Sequence, residues 1–118
     1  MLDAEVIAEL RGEGDELLED LIALFVSETP TRMTTLAASV HAGNCKEAER
    51  AAHTLKSSAA TLGAIAMSAA AAAAEDAARA NQLAEVARLL EPLRWEAARA
   101  IEALTAESAR LESSNLSA

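Results

Sequence analysis

A histidine on the polar side of an amphipathic segment is the residue in this sequence best suited to do chemistry. Between Lys46 and Leu62 the apolar residues recur at helical spacing: Ala48, Ala51, Ala52, Leu55, Ala59 and Leu62. At about 100° per residue these side chains fall within roughly 60° of Leu55, whereas His53 points about 160° away from it. The spacing therefore predicts a helix that presents the His53 imidazole to solvent or to a groove, where it is an accessible nucleophile.

Cations and small residues surround His53 on the same predicted helix face. They stand three, four or seven positions from it and are Lys46, Arg50, Lys56, Ser57 and Ala60. Residues at these offsets are neighbours on a helix surface. The alternative for the cations is that they form only the solvated side of an amphipathic helix.

The composition limits the class of protein. The 118 residues suffice for one domain, and 19 acidic against 10 basic residues give a formal charge of −9. This balance argues against nucleic acid or an anionic membrane surface as partner. The acidic N-terminus does not resemble a secretory signal, and no apolar run reaches the roughly 20 residues that a membrane-spanning helix needs. A single cysteine, Cys45, fits a reducing cytoplasm.

The residue types favour an all-α fold. Phe25 and Trp95 are the two aromatic residues, and glycine and proline number four and two. We expect an antiparallel up-and-down four-helix bundle with a short N-terminal capping helix, because short loops join the amphipathic segments. The domain should span residues 1–112, and residues 113–118 should form a disordered tail. Trp95 and the leucines of the last helix are expected in the core.

Turn and capping residues mark the predicted helix boundaries. The first helix should run from an Asp3 N-cap to Arg11, and the pattern Asn44-x-x-Glu47 should start the helix that carries His53. The predicted helix stops are Gly43, Gly63 and Asn81. Pro30 is expected either to begin a new turn or to kink one long helix, and Pro92 is expected to interrupt the last helix.

The run from His53 to Ala64, HTLKSSAATLGA, closely resembles the signature of histidine-containing phosphotransfer (HPt) domains, H-x-L-K-G-S-[SA]-x-x-[LVI]-G-A. The resemblance covers nearly the whole chain and includes Leu2, Asp3, Leu10, Arg11, Leu24, Phe25, Pro30, Gly43, Glu75 and Arg79. One residue departs from the signature: Ser57 stands where the family usually has glycine.

The resemblance implies a role for each residue of the His53 face. His53 is expected to accept a phosphoryl group from an aspartyl phosphate on a response-regulator receiver domain and to pass it to a second receiver. Lys56 matches the cation that stabilises charge beside the acceptor. We expect the receiver to dock on the surrounding residues Lys46, Arg50, Ser57 and Ala60.

Metal and nucleotide sites are not evident near His53. The sequence has no cluster of metal-ligand residues there and no glycine-rich phosphate loop. We therefore expect no bound cofactor, Mg²⁺ supplied by the receiver, and no autonomous kinase activity. The chain could be a stand-alone protein or the HPt module of a membrane-bound hybrid histidine kinase.

Two other functions compete with this interpretation. A helical module that binds a receiver as a decoy or scaffold has no need of an intact His-x-x-Lys face. The dimerisation helices of a histidine kinase carry an acidic residue directly after the histidine, where this sequence has Thr54. His41, in the last turn before Gly43, is interpreted as a helix cap rather than as a second phosphoacceptor.

Overall fold

Four long helices form a closed bundle, and a short fifth helix precedes them. The computed structural model describes residues 2–117, with side chains for residues 2–114. The helices are α1 (Ala4–Glu13), α2 (Asp15–His41), α3 (Cys45–Thr61), α4 (Ile65–Arg79) and α5 (Leu83–Ser117). α3 packs between α2 and α4, α5 closes the bundle between α4 and α2, and α1 packs on α2. The predicted all-α four-helix bundle is confirmed, with α3 and α5 at opposite corners.

Side-chain N-caps begin two of the helices, and residues with a left-handed backbone follow three of them, where the sequence predicts. The Asp3 carboxylate accepts a hydrogen bond from the Glu5 N–H at 3.0 Å, and the Asn44 side chain accepts one from the Glu47 N–H at 3.1 Å. Gly43, Gly63 and Asn81 follow α2, α3 and α4 with φ values of 72°, 71° and 60°. These caps make the three connections short and reverse the chain direction at each one.

The two prolines lie inside continuous helices, which matches the one-long-helix alternative for Pro30 and contradicts the interruption predicted at Pro92. α2 runs through Pro30 and α5 runs through Pro92 without a break. Both prolines lie on the solvent side of their helices, where water can bind the carbonyl that loses its N–H partner. The predicted interruption at Pro92 is therefore wrong.

α5 continues into the segment that the sequence assigns to a C-terminal tail. The segment predicted as disordered from residue 113 is helical as far as Ser117, and Ala118 lies outside the described residues. No glycine or proline follows Pro92 in the sequence, and Leu111 is fully buried, so nothing ends the helix at the predicted point.

The core is built from one stripe of each helix. On α3 the buried residues are Ala48, Ala51, Ala52, Leu55 and Ala59, as the helical spacing predicts. On α4 they are mostly alanines, which let this helix approach its neighbours closely. The core position predicted for Trp95 is wrong: the residue is 60% exposed, because it lies on the side of α5 opposite the buried Leu93 and Leu104.

The start of the chain is fixed to the α3–α4 turn through Gly63. The Asp3 N–H donates to the Gly63 carbonyl at 2.7 Å, and a Cβ at Gly63 would lie 3.2 Å from both the backbone nitrogen and the carbonyl oxygen of Asp3. Gly43 has nearly the same φ but nothing within 4 Å of its Cβ position. The two glycines therefore differ in crowding but not in backbone conformation.

We predict that Gly63→Ala destabilises the fold more than Gly43→Ala does. Both substitutions carry the left-handed backbone penalty of about 1–2 kcal/mol. Gly63→Ala adds overlap with the Asp3 backbone, which we expect to cost about 1–3 kcal/mol more. Urea unfolding measures the free energy of unfolding of the two variants. An equal decrease in both would show that the Asp3 backbone moves aside at no cost in free energy.

Candidate functional site

His53 lies on the outer face of α3, as the sequence predicts. Its side chain is 59% exposed, whereas its sequence neighbour Ala52 is fully buried. Ser57 and Ala60 are also exposed, and they follow His53 by four and seven positions, so the three residues share one helix face. The imidazole is therefore open to an approaching macromolecule, with small side chains on one flank.

The inner edge of the imidazole contacts a buried glutamate of α4. His53 Nδ1 lies 2.9 Å from Glu75 Oε2, and the Glu75 side chain is only 4% exposed. Two cations contact the same carboxylate: Lys56 Nζ lies 2.6 Å from Oε1, and Arg79 Nη2 lies 3.0 Å from Oε2. Three nitrogen groups from two helices thus converge on one carboxylate.

The contacts of Glu75 determine which imidazole nitrogen carries the proton. The hydrogen bond from Lys56 lowers the pKa of Glu75, with a further contribution from His53, although burial acts in the opposite direction. The carboxylate is therefore ionised near neutral pH, and an ionised carboxylate accepts hydrogen bonds but donates none. We infer that Nδ1 of His53 bears the hydrogen, so that a neutral ring carries its free lone pair on Nε2.

Arg79 connects the end of α4 to α3. Its Nε lies 3.0 Å from Glu49 Oε2 on α3, and its Nη1 lies 3.5 Å from Asp76 Oδ1. The hydrogen bond to Glu49, together with the charges of Glu49, Glu75 and Asp76, raises the pKa of Arg79. Arg79 is therefore a permanent cation that fixes α4 against α3 beside His53.

A shallow groove beside His53 brings the remaining predicted cations to the site. Its lining residues are Lys46, Glu49, Arg50, His53, Glu75 and Arg79. Arg50 Nη1 pairs with Glu47 Oε1 at 2.8 Å, whereas Lys46 makes no ion pair within the described part of the chain. Lys46 is therefore the cation of this groove that has no carboxylate partner in residues 2–114.

The residues predicted from the sequence thus lie together on and beside α3. The structure changes the contact expected for Lys56 and adds Glu75 to the site. Lys56 lies one turn from His53, but its ammonium group contacts Glu75, so its charge reaches the imidazole through that carboxylate. Sequence reasoning gave Glu75 no role. Its position was a usable signal, since Glu75 stands four residues after the buried Ala71 and three before the buried Ala78, where a carboxylate needs a partner.

Other candidate groups do not form a second site. His41 is exposed in the last turn of α2, at the position predicted for a helix cap, and Cys45 is a free thiol in the first turn of α3. Among the described residues, no three His, Cys, Asp or Glu side chains come together as a metal-binding group.

Comparisons with known proteins assign the family. The sequence model of the Hpt domain matches residues 5–113, so the chain belongs to the Hpt domain family. The crystal structure of histidine-containing phosphotransfer protein B (HptB) from Pseudomonas aeruginosa PAO1 is similar, with a TM-score of 0.88 and 26% sequence identity. The match covers 92% of this chain and 95% of that one. No curated protein sequence matches the chain significantly.

The function of the family is the phosphorelay, in which an Hpt domain carries a phosphoryl group on histidine and interacts with receiver partners. This role favours the phosphotransfer interpretation over the decoy or scaffold. Within the described helices, none is both long and apolar enough to cross a membrane.

We predict that Glu75 sets the tautomer of His53. When the His53 ring is uncharged, ¹⁵N NMR of the wild-type protein should show the hydrogen on Nδ1 and none on Nε2, because the Glu75 carboxylate accepts from Nδ1. Glu75→Ala removes that acceptor and should return His53 to the mixture of tautomers seen in exposed histidines. His41, the second of the two histidines, is the internal control and should not change. A protonated Nε2 in the neutral wild-type ring would contradict this assignment.

Proposed function

We propose that His53 is the phosphoacceptor and that Nε2 is the atom that receives the phosphoryl group. The observation that supports this is the 2.9 Å contact between Nδ1 and the buried Glu75 carboxylate. It leaves the Nε2 lone pair on the exposed side of the ring. The same contact fixes the ring orientation in advance, as in other sites where a carboxylate orients a histidine nucleophile or base.

The transfer step follows from this geometry. The Nε2 lone pair attacks the phosphorus of an aspartyl phosphate on the receiver, the N–P bond forms, and the O–P bond to the aspartate breaks. The electron pair of the broken bond leaves with the aspartate carboxylate. The ring then holds a hydrogen on Nδ1 and the phosphoryl group on Nε2, so it is cationic. Glu75 stabilises that developing positive charge, and the reverse step returns the group to a second receiver aspartate.

Cations on the His53 face are suited to the phosphoryl oxygens. The chain carries 10 basic residues, and four of them, Lys46, Arg50, Lys56 and Arg79, lie around His53 on an otherwise acidic protein. Lys46 can turn toward an incoming anion without breaking an ion pair. We assign Lys56 to charge stabilisation through Glu75, and Lys46, Arg50, Ser57 and Ala60 to the surface on which the receiver docks.

The cofactor and the compartment follow from the same proposal. The groove beside His53 is lined by cations and by two carboxylates, Glu49 and Glu75, that already form ion pairs, so the Mg²⁺ that neutralises the phosphoryl group should be bound by the receiver. The domain then needs no cofactor of its own. Receiver domains and a free thiol at Cys45 fit a cytoplasmic location, either alone or as part of a membrane-bound sensor kinase.

His53→Gln is expected to abolish labelling by a phosphorylated receiver, because the nucleophilic nitrogen is lost while the exposed helix face remains. His41→Gln is the matched control and should be labelled like the wild type. Both variants should retain the wild-type circular dichroism spectrum. Labelling that survives in His53→Gln and disappears in His41→Gln would refute the assignment.

Ser57→Leu is expected to slow phosphotransfer at least tenfold, because leucine on the exposed face four residues from His53 obstructs the receiver. Ser57→Ala should keep a near wild-type rate. Ser27→Leu makes the same substitution at an exposed position of α2 beside α5 and should also transfer normally. All three variants should unfold within about 0.5 kcal/mol of the wild type. Rapid-quench kinetics and thermal unfolding measure these effects, and undiminished transfer by Ser57→Leu would place docking on another face.

A further inference from the structure

The outer side of α5 carries a stripe of residues that the phosphotransfer site does not use. The buried side of this helix is formed by Val86, Leu93, Ala97, Ala100, Leu104 and Leu111. On the opposite side Trp95, Arg99, Glu102 and Ala106 are all exposed, at spacings of four, three and four residues. At about 100° per residue their side chains fall within roughly 40° of Trp95. We call these four residues the Trp95 stripe.

Within residues 2–114 the two charged members of the Trp95 stripe form no ion pair, and its tryptophan is exposed. Trp95 is 60% exposed, and it is the chain's one tryptophan. The Arg99 guanidinium lies over the Trp95 ring, 4.6 Å from its centroid, and pairs with no carboxylate in residues 2–114. Glu102 likewise has no ion pair within those residues. An exposed tryptophan stacked with an arginine is typical of the centre of a protein interface, and Glu102 adds a charge of the opposite sign beside them.

A groove between α4 and α5 adjoins the stripe, and half of the residues that line it are alanines. Its volume is about 340 Å³, and its walls include Ala64, which directly precedes α4, Ala66 of α4, and Ala103 and Ala106 of α5. Arg99 and Glu102 stand at its edge. The surface therefore presents a large aromatic side chain and, one to three turns along the same helix, a hollow whose α5 wall includes Ala103 and Ala106.

We propose that the Trp95 stripe pairs with the same stripe of a second copy of this chain, with the two α5 helices antiparallel. In an antiparallel pair of identical helices, a residue of one copy faces a residue of the other when their two residue numbers add up to the same total along the whole contact. A two-fold axis between residues 100 and 101 places Trp95 of each copy opposite Ala106 of the other. The same register places Arg99 of each copy opposite Glu102 of the other. One register thus matches the large side chain to the small one and the cation to the anion, twice each.

The extent of the paired surface sets the strength of the dimer. Residues 95–106 span about 17 Å of helix. A contact of this length along one helix buries less surface area than the roughly 800 Å² per partner of a typical stable interface. The dimer should therefore dissociate readily on dilution. Arg99 can remain stacked on Trp95 while its other N–H groups reach the second copy, because a guanidinium has five donors.

The proposed dimer leaves the phosphoacceptor site open. α3 and α5 lie at opposite corners of the bundle, so pairing through α5 turns both His53 faces outward. The proposal is independent of the assignment of His53, because it concerns another surface and its test measures association. A dimer of this kind presents two acceptor sites to receivers at once.

Sedimentation equilibrium of the full chain tests the proposal over protein concentrations from about 10 µM to 1 mM, the range that a small interface requires. We expect a monomer–dimer equilibrium, with a blue shift of Trp95 fluorescence as the dimer forms. Arg99→Glu and Glu102→Arg should each weaken association at least tenfold, since each places like charges opposite each other. Arg94→Glu makes the same charge change on α5 away from the stripe and should dimerise like the wild type.

Two combinations of these variants distinguish the proposed register from other modes of association. The double variant Arg99→Glu/Glu102→Arg should recover the dimer, because it exchanges the two charges. An equimolar mixture of the two single variants should form a heterodimer although neither associates alone. A wild-type protein that stays monomeric up to 1 mM, or charge combinations that fail to restore association, would overturn the proposal.

Discussion

The ion cluster around the buried Glu75 carboxylate is the interaction on which the site depends. Moving a carboxylate into the α3–α4 contact costs free energy, which is offset when several hydrogen-bond donors meet it. Lys56 and His53 approach it from α3, and Arg79 approaches it from α4 itself. Because these donors come from both helices, the cluster fixes their relative rotation, and that rotation determines how the imidazole faces solvent. The reactive atom is thus positioned by electrostatics rather than by close packing around the ring.

The alanines of α4 make this arrangement possible. A glutamate side chain reaches across to His53 and Lys56 only if the two helices approach closely, and the buried Ala71, Ala74 and Ala78 permit that approach. These small residues bury little apolar area, so α4 contributes less to the core than a leucine-rich helix would. Larger residues elsewhere compensate, among them the fully buried Leu18, Leu36 and Leu104. Local packing near the site and stability of the whole bundle are therefore supplied by different helices.

Features set by local rules were predictable from the sequence, and features set by the contact between helices were not. The α3 stripe, the exposure of His53 and the Asp3 and Asn44 caps depend on spacing and on residues within one turn, and all are as predicted. The Glu75 contact joins residues 22 positions apart and depends on the rotation of two helices, which no local pattern reports. Trp95 was placed in the core on its residue type, although its angle relative to Leu93 and Leu104 indicated the opposite side.

The burial and the ion pairs of Glu75 also bear on how long a phosphohistidine survives in water. Hydrolysis of a phosphoramidate is accelerated when a nearby base removes a proton from the attacking water molecule. Glu75 is the carboxylate in contact with His53, yet three nitrogen groups contact its oxygens and its side chain is 4% exposed. Its lowered pKa and its burial therefore make it a poor base for an attacking water molecule. The group that orients the nucleophile is at the same time withheld from the reaction that would waste the phosphoryl group between two receivers.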